Sequence, residues 1–398
     1  MKTWILTLVL AGLAMIGPFS IDTFLPSFHA IARQFDVSMA AVQQTLSAYL
    51  VAAGLMNLFY GTLSDSWGRR PVILVSLALF TGASVGAALA PSFGWLLVFR
   101  VLQGLTASAG RVIGQAIIRD RFEGEAAHRL MSYVMMVFGL APAIAPVLGG
   151  YLHVAFGWRS VFVFMAALGF VLLLATHRFL GESLSPTARQ RFHLVTLAKN
   201  YALALRHRPF VARALAVGFA FGGLGLYISS AASFVINILH LPETGFAWLF
   251  LPMIGGMVAG SALSSRLGAR MRPRAVLATG FACMGLAVSI NLAYNSFFEA
   301  AIPWAVVPVM LYTLGLGFTM PAMMLSALDI FPTMRGLAAS LVSSVQMLVF
   351  SLISGVVAPM LFDSAWKLAE GVALLFVLAI SCWAVGAWTG RRPRRLET

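Results

Sequence analysis

Charge is what this sequence has least of: Lys, Arg, Asp and Glu make up 10% of its 398 residues, where an ordinary soluble protein carries about 25%. So few ionic groups cannot cover the surface of a chain this long, which excludes a water-soluble globule. Acid is scarcer than base, 13 Asp and Glu against 27 Lys and Arg. Only two cysteines are present, Cys283 and Cys382, each within an apolar run. Without CxxC spacing they form neither a thiol metal site nor a disulfide framework, and they read as small buried hydrophobes. The seven histidines, at 29, 128, 153, 177, 193, 207 and 240, fall in loops or near helix ends. No Ser-His pair, haem ligand pair or HExxH zinc site therefore lies inside an apolar segment, and an enzyme is not expected. There is no Walker sequence, so ATP drive is not expected, and no cofactor or metal is implied.

What is there is hydrophobic sequence: 60% apolar residues, 30 Phe, 19 Met and 36 Gly, with a mean hydropathy of +0.90. A helix that spans a bilayer needs about 20 mainly apolar residues. Reading between charge clusters and Gly/Pro punctuation gives twelve such segments, near 4–27, 41–62, 72–91, 94–117, 130–153, 158–179, 210–236, 245–265, 275–294, 301–324, 335–361 and 367–389. The first, although it follows Lys2, is too long for a signal peptide and contains Asp22, so it is expected to be retained.

A net charge of +14 would suggest nucleic acid in a soluble protein. With the amino terminus placed inside and the sides alternating, 22 of the 27 cations fall in inner loops and tails, and only Arg33, Arg159 and Lys367 fall outside. That asymmetry is the positive-inside pattern, and it predicts a multi-pass membrane protein with both termini cytoplasmic. Cations scattered over every inner loop form no basic domain or arm, so no nucleic-acid partner is expected.

The longest polar stretch, Gly181 to Pro209 with an amphipathic segment from His193 to Arg208, divides the spans six and six. The expected organisation is an amino-terminal six-helix bundle over 1–180, a cytoplasmic linker over 181–209 and a carboxyl-terminal bundle over 210–398. An internal repeat supports the division: GTLSDSWGRR at 61–70 aligns with SALSSRLGAR at 261–270, each between the second and third spans of its half. Parallel six-helix repeats that rock around a midplane site are an architecture of carriers.

Three motifs carry a family resemblance. The run from Gly61 to Pro71 resembles the signature loop of the major facilitator superfamily, and Phe99 to Gly104 (FRVLQG) resembles its fourth-helix motif. Gly139, Pro142, Pro146, Gly149 and Gly150 on the fifth helix resemble the antiporter motif. More narrowly, SIDTFLP at 20–26 and AIIRD at 116–120 look like the bicyclomycin-resistance group of drug:proton exporters. The resemblance implies an all-α membrane protein, twelve helices in two bundles related by a pseudo-two-fold axis. It also implies a monomeric carrier of the bacterial cytoplasmic (inner) membrane whose partners are lipid, a small-molecule substrate and protons. By the same resemblance Asp65 locks the two bundles at the inner side, with Gly61, Gly68, Arg69 and Arg70, capping the eleventh helix near Pro332 to Arg335. A topology anchor is the plainer role for that loop.

Asp22 is the acid well inside the apolar spans of the first half, and an ionised carboxylate there is costly unless a proton or cation neutralises it. It is the expected coupling acid, the alternative being a carboxyl that only stabilises the helix end beside Pro26. Arg100 lies at comparable depth on the fourth helix and is expected to pair with it. Arg111 is eleven residues further on, so both guanidiniums project from one helical face with Gln103 and Gln115 near it. Such a face cannot point at lipid; it lines a cavity or ties helices together. For substrate contact the expected residues are Tyr49, Asn57, Gln103, Gln115, Tyr133, Met136, Tyr227 and Gln346, because aromatics and Met adapt to varied shapes and amides supply hydrogen bonds. The expected function is proton-coupled efflux of amphiphilic drugs by alternating access. The alternatives are a facilitator or exporter of one metabolite, such as a sugar or amino acid derivative, and a non-transporting receptor.

Overall fold

The computed structural model describes residues 3–185, 187, 189, 193–267 and 270–389. Lys2, Pro186, Arg191, Gly268, Ala269, Arg391, Arg392, Arg394 and Arg395, on which parts of the topology and repeat arguments rest, lie outside the described residues. Among those described the chain is helical, without strands, and twelve helices are long and apolar enough to cross a membrane.

The first span is α1 (Thr3–Asp22), a 3-10 turn (Leu25–Ser27) and α2 (Phe28–Phe35). It runs eight residues past the expected 27, because Phe28 and Ile31 stay buried against the bundle while Arg33 and Gln34 turn outward. The second is α3 (Met39–Asn57), prolonged by α4 (Tyr60–Trp67), and the third is α5 (Arg69–Ala88). The fourth divides at Ser108 into α6 (Phe93–Ala107) and α7 (Ala109–Arg121). The fifth, α8 (Gly124–Phe156), begins six residues before the expected 130, since Glu125, His128 and Arg129 lie on exposed turns. It passes through Pro142 and Pro146 without interruption. After α9 (Arg159–Phe179), the linker carries α10 (Leu194–Arg206).

The second half repeats the plan. Its spans are α11 (Arg208–Ser229), continued by α12 (Ala231–Ser233) and a π turn (Phe234–Ile238), then α13 (Ala247–Leu267), α14 (Pro273–Phe297) and α15 (Val307–Leu328). They end with α16 (Arg335–Leu352), a π turn (Ile353–Val357) that leads into α17 (Ala358–Leu361), and α18 (Ala365–Thr389). Leu79, Val171, Leu374 and Val377 are exposed on outward helix faces, as the lipid-facing side of a bundle requires.

An even number of crossings brings both ends of the chain to one face of the molecule, here termed the proximal end. The two bundles meet along α3 and α16 and along α8 and α13. From the distal end inward, Gln44 Nε2 donates to the Gly355 carbonyl at 2.8 Å, Ser47 and Ser351 exchange hydroxyl bonds at 2.8–3.0 Å, and Ser344 donates to the Gly54 carbonyl. Gln43 Nε2 reaches the Ser229 carbonyl at 2.8 Å. Gln43, Gln44 and the Ser47–Ser351 pair thus seal the distal half of the seam, while the Ser344–Gly54 bond joins the bundles further in, at the depth of Asn57. At the proximal end the ion pairs remain within their own halves, Asp65 with Arg69 and Asp329 with Arg335.

Candidate transport cavity

A cavity of about 250 Å³ opens between the two bundles. The amino-terminal half lines it with Asp22, Tyr49, Asn57, Ser108, Arg111, Phe138, Gly139 and Pro142, and the carboxyl-terminal half with Phe221, Ile254, Met257, Ser343, Gln346 and Phe350. Its two charged residues, Asp22 and Arg111, both stand on the amino-terminal wall.

Asp22 is the last residue of α1, where the helix gives way to the turn that includes Pro26. Its carboxyl is 2% exposed and Oδ1 has no hydrogen-bond partner. With no hydrogen bond at Oδ1 and no ion pair in contact, an ionised carboxylate there is costly unless a proton or a cation in the cavity neutralises it. The expected pair with Arg100 does not form. Arg100 Nη1 donates instead to the Ser20 carbonyl and to Gln103 Oε1, each at 3.0 Å. Its guanidinium sits over the rings of Phe24 and Tyr49, 4.8 and 4.6 Å from their centroids. Arg100 therefore lies one layer behind the cavity wall and holds α1 to α6. The shared face drawn for an unbroken fourth helix is interrupted at Ser108, and only Arg111 reaches the cavity. Its guanidinium lies 5.5 Å from the Phe138 ring centroid.

Of the expected substrate residues, Tyr49, Asn57 and Gln346 line the cavity. Gln103 is buried between Arg100 and Ser84, where its Nε2 donates to the serine hydroxyl at 2.8 Å. Gln115 does not line the cavity, Met136 is 56% exposed, and Tyr133 opens onto a separate proximal cleft with Trp4 and Arg129. Tyr227 accepts from Asn291 Nδ2 at 3.0 Å inside the second bundle. In each of these a helical position was legible from sequence while the direction of the side chain was not. Ser108, Phe138 and Ser343 were missed, because a serine or phenylalanine in an apolar helix has no sequence signal that separates cavity from packing.

The signature loop is tied into its own half. Arg69 bonds Asp65, the Ser64 hydroxyl at 2.7 Å and Asp120 Oδ2 at 3.1 Å. The linker residue Glu182 was missed as a functional group: its carboxylate accepts the backbone N–H groups of Arg69 and Arg70 at 3.0 and 3.3 Å and so caps α5. Arg70 Nη2 donates to the His177 carbonyl at 2.9 Å. The expected cap from Asp65 to the eleventh helix is absent here, for its carboxylate is taken by Arg69 and no side chain caps α16. Gly61 faces open space. At the proximal end Tyr201 of α10 donates to the Leu58 carbonyl at 2.7 Å. Burial pushes its phenol up to about 12, so it stays a neutral donor.

On the fifth helix the small residues have distinct neighbours. Gly139 borders the cavity, while Gly149 packs on the Thr23 carbonyl and Gly150 on the Glu243 carbonyl of the other half. A side chain at either would collide with backbone. Among the described residues no group of three or more His, Cys, Asp or Glu is placed to hold a metal.

Two six-helix bundles around a cavity midway along the spans define a membrane transporter. The chain matches the Major Facilitator Superfamily over residues 8–354 and belongs to that family. It is 30% identical over 386 residues to a bicyclomycin resistance protein homolog of Haemophilus influenzae, covering 95% of each chain. Multidrug transporter MdfA of Escherichia coli O6:H1 is 26% identical over 331 residues, which cover 83% of this chain and 80% of that one. The crystal structure of a D-xylose-proton symporter superposes with a TM-score of 0.72 at 16% identity, covering 95% and 97% of the two chains. The likeness to the drug-resistance group that SIDTFLP and AIIRD carry is thus present over nearly the whole chain, and the protein is a transporter, not an enzyme.

Proposed function

We propose that the protein exports amphiphilic drugs or related small molecules from the cytoplasm in exchange for protons, by alternating access and as a monomer. The observation that carries this reading is Asp22: a buried carboxyl in the wall of the central cavity, with no ion pair to neutralise it. Likeness to bicyclomycin and multidrug resistance proteins supports export of drugs. The positive-inside pattern supports a cytoplasmic proximal end, with residues 181–209 as the linker between halves.

With the distal seam closed, the cavity belongs to the state that faces the cytoplasm. There the proton leaves Asp22 and substrate enters; when the cavity faces out, substrate leaves and a proton returns to the carboxyl. Arg111 stays protonated throughout, so the cavity alternates between a balanced Asp22–Arg111 couple and a single positive charge. Arg100 acts at one remove, holding the α1 end at Ser20 on which Asp22 depends. The membrane potential supplies about 2.3 kcal/mol per charge per 100 mV, so one proton per cycle supports uphill export.

The test is reconstitution into vesicles with an imposed pH gradient, with uncharged amphiphiles such as chloramphenicol as candidate substrates. Substrate movement is expected to release protons from the wild-type carrier, and Asp22→Asn is expected to abolish that release. Full proton-driven transport of a neutral substrate by Asp22→Asn would contradict the assignment.

A further inference from the structure

The cavity wall holds hydrogen-bonding atoms that the protein itself leaves unanswered. Asn57 is 1% exposed, yet neither its Oδ1 nor its Nδ2 has a partner. The Ser108 hydroxyl, on the same wall, is also buried without one. Native proteins rarely leave a whole carboxamide unpaired, so an unanswered primary amide in a cavity wall points to a ligand that supplies both an acceptor and a donor. The charge inventory narrows the class further. Asp22 and Arg111 balance one another when the acid is ionised, and the other half contributes no charge to the wall. A ligand that brought a net charge of either sign would leave it uncompensated in a confined apolar space, where desolvation is costly.

We propose that the cavity selects uncharged molecules that carry a carboxamide or a comparable donor-and-acceptor pair, held face to face by the Asn57 amide, and that it discriminates against permanent organic cations. This rests on the exporter reading for the place where substrate binds, and it adds the chemical class. The apolar wall formed by Phe138, Phe221 and Phe350 takes the rest of the molecule without specifying it. Asn57 is thereby the specificity-determining residue, distinct from Asp22, which answers to the proton.

Binding measurements on purified full-length protein in nanodiscs test this with one fluorophore and three head groups: dansyl-glycinamide, dansyl-glycine, and a dansyl derivative ending in trimethylammonium. The glycinamide is expected to bind about tenfold more tightly than either charged probe. Asn57→Leu, close in size, is expected to remove most of that advantage. The comparison on the wild-type protein decides the charge preference even if the variant fails to fold, and Asn57→Ser provides a smaller polar replacement. Preference for the ammonium probe, equal binding of all three, no binding of the glycinamide, or an Asn57→Leu protein that folds and keeps the preference would each overturn the proposal. Proton release is not part of this readout. Loss of coupling with the binding pattern intact would remove the exporter reading alone, and the converse result would remove only the substrate class.

Discussion

Gly68 stands at φ 101° and ψ 154°, a conformation that side-chain-bearing residues avoid, at the turn between α4 and α5. A methyl group there would also meet the Glu182 carboxylate that caps α5. Gly68→Ala is expected to cost about 1–3 kcal/mol, read as a lowered thermal midpoint in detergent, with an unchanged midpoint as the contrary result. The glycine was legible in the sequence as part of a tight turn, but Glu182 was not, because it lies more than a hundred residues away and only the fold brings it to the helix end. The same limit explains the two buried charges. That Asp22 and Arg100 must face protein follows from the cost of charge in lipid. Whether they face each other depends on a rotation that a sequence does not record, and Arg100 turned to the Ser20 carbonyl.

Among the elements, α8 connects the end of α1 at Asp22 to the distal contact between the halves. Gly149 packs against the carbonyl of Thr23, next to Asp22, and Gly150 against Glu243 of the opposite half. On the exporter reading proposed above, this helix is the route by which a change in charge at the end of α1 would reach the contact that closes the distal end. Gly150→Val is expected to wedge that contact open without touching the cavity. In a Gln43→Cys background, labelling by a membrane-impermeant maleimide should then rise several-fold, since Gln43 is buried in the distal seal against the Ser229 carbonyl. Unaltered labelling would separate α8 from distal closure. Pro and Gly in this helix were visible as a motif, but their division of labour was not: Gly139 borders the cavity, Pro142 and Pro146 sit in an unbroken helix, and the last two glycines make contacts. The helix ends were the least legible feature, since α2 and the first turns of α8 carry charges on an outer face and lie beyond what apolar length alone marks.

For the whole molecule, twelve spans, two halves and the family followed from apolar length, the scarcity of acid and three motifs, because a bilayer allows a hydrophobic chain few other solutions. The cavity did not follow, because it is made where two halves meet and neither half announces its inner face. The cation distribution sets an expectation at this scale: green fluorescent protein fused at the carboxyl terminus should fluoresce, and alkaline phosphatase at the same place should be inactive, the reverse pattern contradicting a cytoplasmic proximal end. The central claim is that one carboxyl, Asp22, converts proton binding into exchange of the open end. It is tested most directly by paired spin-label distances, Arg33→Cys with Glu299→Cys across the distal end and Glu125→Cys with Arg274→Cys across the proximal end, in protein lacking Cys283 and Cys382. On acidification the two distances are predicted to change in opposite senses, and in Asp22→Asn both changes are predicted to vanish. A pH response that persists in Asp22→Asn, or two distances that move together, would contradict the account.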